Sequence, residues 1–263
     1  MRQAIKSLIP HGFLDFYRRL TKKGFYGDFP TWQAAEEVAG GYDAPAILDR
    51  VRNAALRVKR GEAAFERDSV CFEHEEYRWP TLACLLRVAA EHGGRLRVLD
   101  FGGSLGSFYF QHRRHFRHLD VVRWSVVEQT HYVACGRADF ESDELKFYES
   151  VGDCLDAGPV DVILCSSVLQ YLQNPYGVLA DLTASGVPCI LLDRTPFIAA
   201  RRDRLSVQHV PPSIYRASYP AWFFSRERFL DETRSLGLHN EAEFSSDDDV
   251  GIGEYKGMML VRA

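Results

Sequence analysis

The feature that most restricts the fold is a rhythm in the second half of the chain. From Leu96 onward, short runs rich in Val, Ile and Leu alternate with stretches of helical spacing: LRVLDF (96–101), VRWSVVE (122–128), LKFY (145–148), VDVILCS (160–166) and PCILLD (188–193). Runs this short and apolar, set helix-lengths apart, are βα units feeding a parallel sheet. Two more runs, LHNEAEF (238–244) and YKGMMLVR (255–262), flank the acidic, turn-rich SSDDDVGIGE and predict a closing hairpin.

Residues 1–94 have another texture, helical and irregular, with helix-like spacing in Phe13, Phe16, Tyr17 and Leu20. A clearer helix is expected over 80–92, with Pro80 in its first turn and Gly93-Gly94 as its stop. The boundary falls near 93–96, which separates a helical N-terminal segment, a lid or substrate cap, from a main domain over 95–263. Within that domain, 194–224 is too long for a plain connection and too aromatic for a solvated linker, so it reads as an acceptor loop.

With 46% apolar and 26% charged residues and a net charge of −4, the chain has the composition of a soluble globular protein. A disordered chain, a collagen and a nucleic-acid-coating protein are excluded. The six cysteines form no C-x-x-C pair, several sit in apolar runs, and they are expected to be reduced and structural. No eighteen-residue apolar run occurs and the N-terminus lacks the pattern of a secretory signal, so a cytoplasmic location is expected. Residues 1–30 hold six Lys or Arg against two acids. A packing helix with solvated charges is favoured there over contact with an anionic membrane surface, because Pro10 and Gly12 interrupt the amphipathic pattern.

The chemistry gathers after the first of the main runs. VLDFGGSLGSFYF (98–110) leads a strand into a turn holding Gly102, Gly103 and Gly106, with a helix starting near Ser107. Glycine lets backbone amides approach a ligand where a Cβ would collide, and a helix N-terminus adds partial positive charge. Asp100 stands just before the glycines. A carboxylate there repels a diphosphate and favours an aminoacyl ligand with a free ammonium. Glu128 ends the next strand 22 residues after Gly106, where an acid commonly holds a ribose diol.

Asp100-Phe101-Gly102-Gly103-Ser104-Leu105-Gly106 resembles the D-x-G-x-G-x-G turn of class I S-adenosylmethionine-dependent methyltransferases, with Ser104 in place of the middle glycine. VDVILCSSVLQYLQNP (160–175) is similar to their fourth-strand signature, with Tyr171 where many relatives carry His. GYDAPAILDRV, GEAAFERDSV and SVQHVPPSIYRASYPAWFFS resemble segments of a narrower, poorly characterised bacterial methyltransferase family, often encoded near surface-polysaccharide genes.

The resemblance implies an α/β fold: a seven-stranded, mostly parallel Rossmann-like methyltransferase sheet with a C-terminal antiparallel hairpin. It implies S-adenosyl-L-methionine as cofactor, with its methionine moiety over Asp100, Gly102 and Gly103, Gly106 also in the cofactor-binding turn, and its ribose on Glu128. Gln129 would lie beside the adenine, Glu149 and Ser150 at its edge, and Ser166 and Ser167 below the sulfur. No metal is needed for such a transfer.

Candidates for catalysis at the carboxyl edge are His209 as base, Tyr171 and Asp193; for the acceptor they are Arg194, Gln208, Tyr215, Tyr219 and Trp222. Arg194, Arg201, Arg202, Arg204 and Arg216 crowd one segment, which suggests an anionic small-molecule or glycan acceptor; O-methylation is the favoured transfer. Nucleic acid is disfavoured, since the net charge is negative and no stacking platform is evident. The rivals are a nicotinamide-dependent Rossmann oxidoreductase and a non-catalytic methyltransferase-like scaffold. Against the first stand Asp100 and the lack of any Y-x-x-x-K pair.

Overall fold

A computed structural model describes residues 24–40, 44–211, 214, 217–249 and 252–262. In chain order its elements are β1 (Gly24–Tyr26), α1 (Trp32–Val38), α2 (Ala44–Lys59), β2 (Phe65–Arg67), β3 (Val70–Phe72), α3 (Trp79–Glu91), β4 (Arg95–Phe101), α4 (Ser107–His112), β5 (Val121–Val127) and α5 (Thr130–Asp139). There follow β6 (Leu145–Tyr148), α6 (Val151–Asp156), β7 (Val162–Ser166), α7 (Pro175–Ala184), β8 (Cys189–Ile198), β9 (Arg204–His209), β10 (Ser218–Ser225), α8 (Arg226–Ser235), β11 (Leu238–Asp249) and β12 (Glu254–Arg262). A 3-10 turn at Leu169–Tyr171 follows β7.

The main ladder runs β6-β5-β4-β7-β8-β12-β11, parallel except for β12, which is antiparallel to β8 and β11. This is the Rossmann-like methyltransferase sheet with its antiparallel C-terminal pair. Strands in its middle are sealed on both faces, so they read as unbroken apolar runs: Val162, Ile163, Leu164 and Cys165 are all fully buried. One face packs Leu85, Val98, Trp124 and Phe147 beneath α3, α4 and α5; the other packs Leu99, Ile163, Leu179 and Phe229 beneath α7 and α8. At the amino edge, Arg97 donates from its backbone N and its Nε to Asp161 at 2.9–3.0 Å, which joins β4 to the start of β7.

The expected helix over 80–92 is α3, and every predicted strand is present. The segment 194–224 differs from expectation. β8 runs on to Ile198, and the segment then folds into β9 and β10 instead of a loop. β10 joins β8 through two pairs, Phe224 with Phe197 and Ser225 with Ile198; β9 pairs antiparallel with β10, and β1 with β9. The N-terminal region is likewise not purely helical, since it supplies β1 and the β2-β3 hairpin. The spacing of Phe13, Phe16, Tyr17 and Leu20, and most of the basic stretch, lie outside the described residues. All six cysteines are free thiols.

Gly136 in α5 shows how tightly a helix seats on this sheet. A Cβ there would stand 2.4–2.6 Å from the Phe147 ring, itself 1% exposed. Alanine normally favours a helix over glycine by about 1 kcal/mol, but overpacking a rigid core costs roughly 1–3 kcal/mol. Gly136→Ala is therefore expected to destabilise the protein, seen as a lower urea midpoint with unchanged slope.

Candidate active site

The glycine turn folds back onto the strand that precedes it. Gly102 donates its N–H to the Val127 carbonyl at 2.9 Å, has φ +71°, and passes so close to Val168 that a Cβ would lie 2.5 Å from its Cγ2. Gly103 lies over Asp100: a Cβ would be 2.4 Å from the carboxyl carbon. Gly106, at φ +85°, caps α4. The Ser104 amide donates to Glu128 Oε1 at 3.2 Å and the Gln129 amide to Oε2 at 2.8 Å, so Glu128 is held against the turn. Burial raises the Glu128 pKa against the pull of these two amides.

Asp100 is 1% exposed and takes one hydrogen bond, from Trp124 Nε1 at 2.9 Å. No cation among the described residues pairs with it. Burial pushes its pKa up to about 7; the indole N–H opposes this and the charge of Glu128 adds to it. A carboxyl so placed gains stability either by keeping its proton or by meeting a positive charge.

At the end of β7, Ser166 Oγ donates to Asp193 Oδ2 at 2.9 Å, while Ser246 Oγ donates to Oδ1 at 3.2 Å and Arg78 Nε lies 3.8 Å from Oδ2. Asp193, 1% exposed, thus ties β7, β8, β11 and the segment before α3 together. The Ser167 amide donates to the Asp193 carbonyl at 2.9 Å, and the fully buried Gln170 donates to Ser167 Oγ at 3.0 Å and to the Arg194 carbonyl at 3.4 Å. Gln170 Oε1 has no protein partner. Of the five non-glycine residues with positive φ among the described residues, Ser104, Ser167 and Arg194 have φ of +55°, +57° and +51°. Ser104 and Ser167 follow β4 and β7, and Arg194 lies within β8 directly after its last pair with β7, so left-handed strain of roughly 1–2 kcal/mol each gathers at the carboxyl edge of these strands.

The acceptor candidates divide. Tyr171 donates its hydroxyl to Gln208 Oε1 at 2.9 Å and packs edge-on to Tyr219 with 5.2 Å between ring centres. Gln208 and Tyr219 are register partners across β9 and β10. Trp222 Nε1 donates to the Leu172 carbonyl at 3.1 Å, which fastens the 3-10 turn to β10. His209, one residue on from Gln208, alternates to the other face with Leu205 and Val207, which pack against Ala35 of α1; its ring lies 5.4 Å from that of Tyr26. Tyr215 lies outside the described residues.

On the β5–β6 side, Gln129 is exposed, Glu149 accepts from Thr130 Oγ1 at 3.0 Å, and Ser150 caps α6 by accepting from the Asp153 amide at 3.1 Å. The arginine cluster disperses. Arg202 forks onto Asp28 at 3.0 and 2.6 Å, Arg204 donates to the Gly27 carbonyl at 2.9 Å, and Arg216 lies outside the described residues. Arg194 is the cluster member at the carboxyl edge.

The β2-β3 hairpin, which the sequence reading left out, packs beside the glycine turn through Ser107. Asp68 and Ser69, at φ 52° and 66°, form its two-residue turn, and Phe65 stacks on Phe72 with ring centres 4.5 Å apart. Glu66, 6% exposed, accepts from Ser107 Oγ, and its other oxygen accepts from the Ser69 amide at 3.2 Å. The hairpin is therefore pinned to the first residue of α4. Its signal was present in FERDSVCF, where apolar positions flank a D-S pair.

No protein-family model matches the sequence, and neither does any curated protein. Solved structures do. Magnesium protoporphyrin IX methyltransferase from Synechocystis PCC 6803 with bound SAH is similar at 12% identity and a TM-score of 0.50, over 84% of this chain and 100% of that one. The N-terminal domain of EvdMO1 in the presence of SAH and D-fucose gives 15% and 0.49, over 85% and 98% of the two chains. Burkholderia thailandensis 1,6-didemethyltoxoflavin-N1-methyltransferase, with bound 1,6-didemethyltoxoflavin and S-adenosylhomocysteine, gives 16% and 0.48, over 90% and 93%. At such identities the likeness bears on architecture, and the first of them shows the Rossmann-like methyltransferase fold.

Asp100 also governs stability. Its pKa is about 7 folded against 3.8 ordinarily. Between those values the unfolded chain has lost a proton that the native state keeps, so stability falls as pH rises from about 4 to 7 and stays low above. At about 1.4 kcal/mol per unit the penalty is on the order of 4 kcal/mol. Asp100→Asn, whose amide oxygen still accepts from Trp124, is expected to raise the unfolding free energy at pH 8 and to flatten that slope in urea titrations.

Proposed function

We propose that the protein is an S-adenosylmethionine-dependent methyltransferase that modifies a small or glycan-type polar acceptor, by O-methylation. The observation that carries this reading is Asp100, a carboxyl sealed beneath Gly103 with one neutral donor and no cation. An aminoacyl ammonium satisfies it; a diphosphate at the same place meets a negative charge with no counter-ion. That is the physical ground for preferring the sulfonium nucleoside over a nicotinamide dinucleotide.

In this reading Asp100, Gly102 and Gly103 hold the methionine moiety, Gly106 completes the cofactor turn, and Glu128 grips the ribose. Gln129, Glu149 and Ser150 border the adenine, and Ser166 and Ser167 form the floor. When bound, the cofactor supplies an electrophilic methyl group whose leaving group is already activated. The protein's work is then alignment, exclusion of water and removal of the acceptor's proton. Tyr171, Gln208 and Tyr219 form the acceptor wall, and Arg194 borders it at the carboxyl edge. Residues 1–94 act as cap and 194–224 as acceptor wall. Asp193 acts through Ser166 and Arg78, as a positioning group.

The test is titration calorimetry with SAH and with NADPH. SAH is expected to bind and NADPH not to bind. Because the bound ammonium requires ionised Asp100, affinity should strengthen as pH rises through about 7, with a dissociation constant roughly tenfold larger at pH 6 than at pH 8. Asp100→Asn should bind SAH at least tenfold more weakly at pH 8 and lose the pH dependence. Heat only with NADPH ends this reading; tight SAH binding without turnover on glycan or small-molecule extracts favours the scaffold.

A further inference from the structure

A hollow of about 240 Å³ lies toward the amino ends of β4, β5 and β6, bordered by the connection from α6 to β7. Nothing in the methyl-transfer reading uses it. Its floor is set by register: Arg97 of β4 stands beside Arg123 of β5, and Ser125 of β5 beside Lys146 of β6. Alternation along each strand sends these four side chains to one face, that of Leu99 and Val127. Arg123 precedes Glu128 by five residues, about 16 Å of extended chain, so the hollow is apart from the glycine-turn edge.

Two arginines on one rung repel each other unless each has an anion. Arg97 has one, since Asp161 accepts from its Nε and Nη2. Arg123 pairs with no carboxylate among the described residues, and its Nη1 lies against Gly158, where a Cβ would stand 3.2 Å from it. Lys146 is 3.9 Å from Glu141, a loose pair. Of the two acids in the lining, Glu144 accepts from the Tyr109 hydroxyl at 2.6 Å, and Tyr109 packs with Trp124 on the opposite face of the sheet. Asp143 alone is left against Arg123 and Lys146, so the hollow keeps an excess of positive charge.

We propose that this hollow is a binding site for a small phosphate monoester, separate from the site of methyl transfer. The three terminal oxygens of the phosphate accept from the Arg123 fork, the Lys146 ammonium and the Ser125 hydroxyl; a carboxylate has only two oxygens to offer. The hollow is several times the roughly 30 Å³ of one water and smaller than the roughly 300 Å³ at which pockets for drug-sized ligands begin. The phosphate therefore arrives on a body the size of a pentose or hexose, with Pro159 and Val160 as its apolar wall.

The test is titration calorimetry and thermal shift on the full chain at fixed ionic strength. The probes are ribose 5-phosphate, glucose 1-phosphate, inorganic phosphate, glucuronate and glucose. Arg123→Gln and Lys146→Gln remove the two cations. Arg123 is exposed and has no acidic partner, so the first variant is expected to melt as the parent does without ligand. Arg95→Gln, at the exposed start of β4 and outside the lining, removes the same charge as a control.

At least one of the two esters is expected to bind with a dissociation constant on the order of 0.1–1 mM and to raise the melting temperature. Inorganic phosphate should bind roughly threefold or more weakly than that ester, and glucuronate and glucose more weakly still. Arg123→Gln should weaken the ester roughly tenfold and Lys146→Gln roughly threefold, while Arg95→Gln stays within about twofold of the parent. Absence of binding by both esters at about 10 mM overturns the proposal. So does equal affinity for inorganic phosphate or glucose and the esters, tighter binding of glucuronate, or an equal loss in Arg123→Gln and Arg95→Gln.

Discussion

A carboxyl group is closed off from water at the end of the central strand, and the architecture around it follows from the need to hold it there. Asp100 sits between β5 and β7 in the ladder, under the backbone of Gly103, with the Trp124 indole as its donor. Trp124 is itself fully buried among Phe108, Tyr109 and Phe116, so its N–H cannot turn elsewhere. An isolated ionised group in such a place is costly. Its proton is the native state's own remedy, and a positive ligand is the alternative.

Around this point the edge is assembled from groups that restrain one another. Glu128 is drawn to the glycine turn by two amides, and Asp193 is spanned by two hydroxyls and approached by a guanidinium. Ser104 and Ser167 hold unfavourable backbone angles just after β4 and β7, and Arg194 holds one within β8, next to its last pair with β7. Strain of this kind persists only where the surroundings over-determine it, and here those surroundings are the hydrogen bonds just named.

The parallel sheet could be read from the sequence because each inner strand is buried on both faces and so appears as an uninterrupted apolar run. The glycine turn was legible for a local reason too, since Asp100 and Gly102 to Gly106 are neighbours in the chain. The β9-β10 ribbon beside Tyr171 was not, because its strands are made by distant partners. β9 is a strand through β1, about 180 residues earlier, as well as through β10. Which face His209 takes depends on that pairing and on α1. Arg202 and Arg204 looked like a ligand-binding cluster until Asp28 and Gly27, remote in sequence, were seen to occupy them. The hairpin at Asp68 is too short for periodicity to announce and gains its meaning from Ser107.

The β9-β10 ribbon hangs from the main ladder by two register pairs, at Phe197 and Ile198, several residues beyond the point where β8 leaves β7. Replacing or lengthening it disturbs no rung beside Asp100. The scaffold is thus partitioned like a tool with a fixed handle and an exchangeable bit: drift in the ribbon can reshape the surface beside Tyr171 while the glycine turn around Asp100 keeps its dimensions.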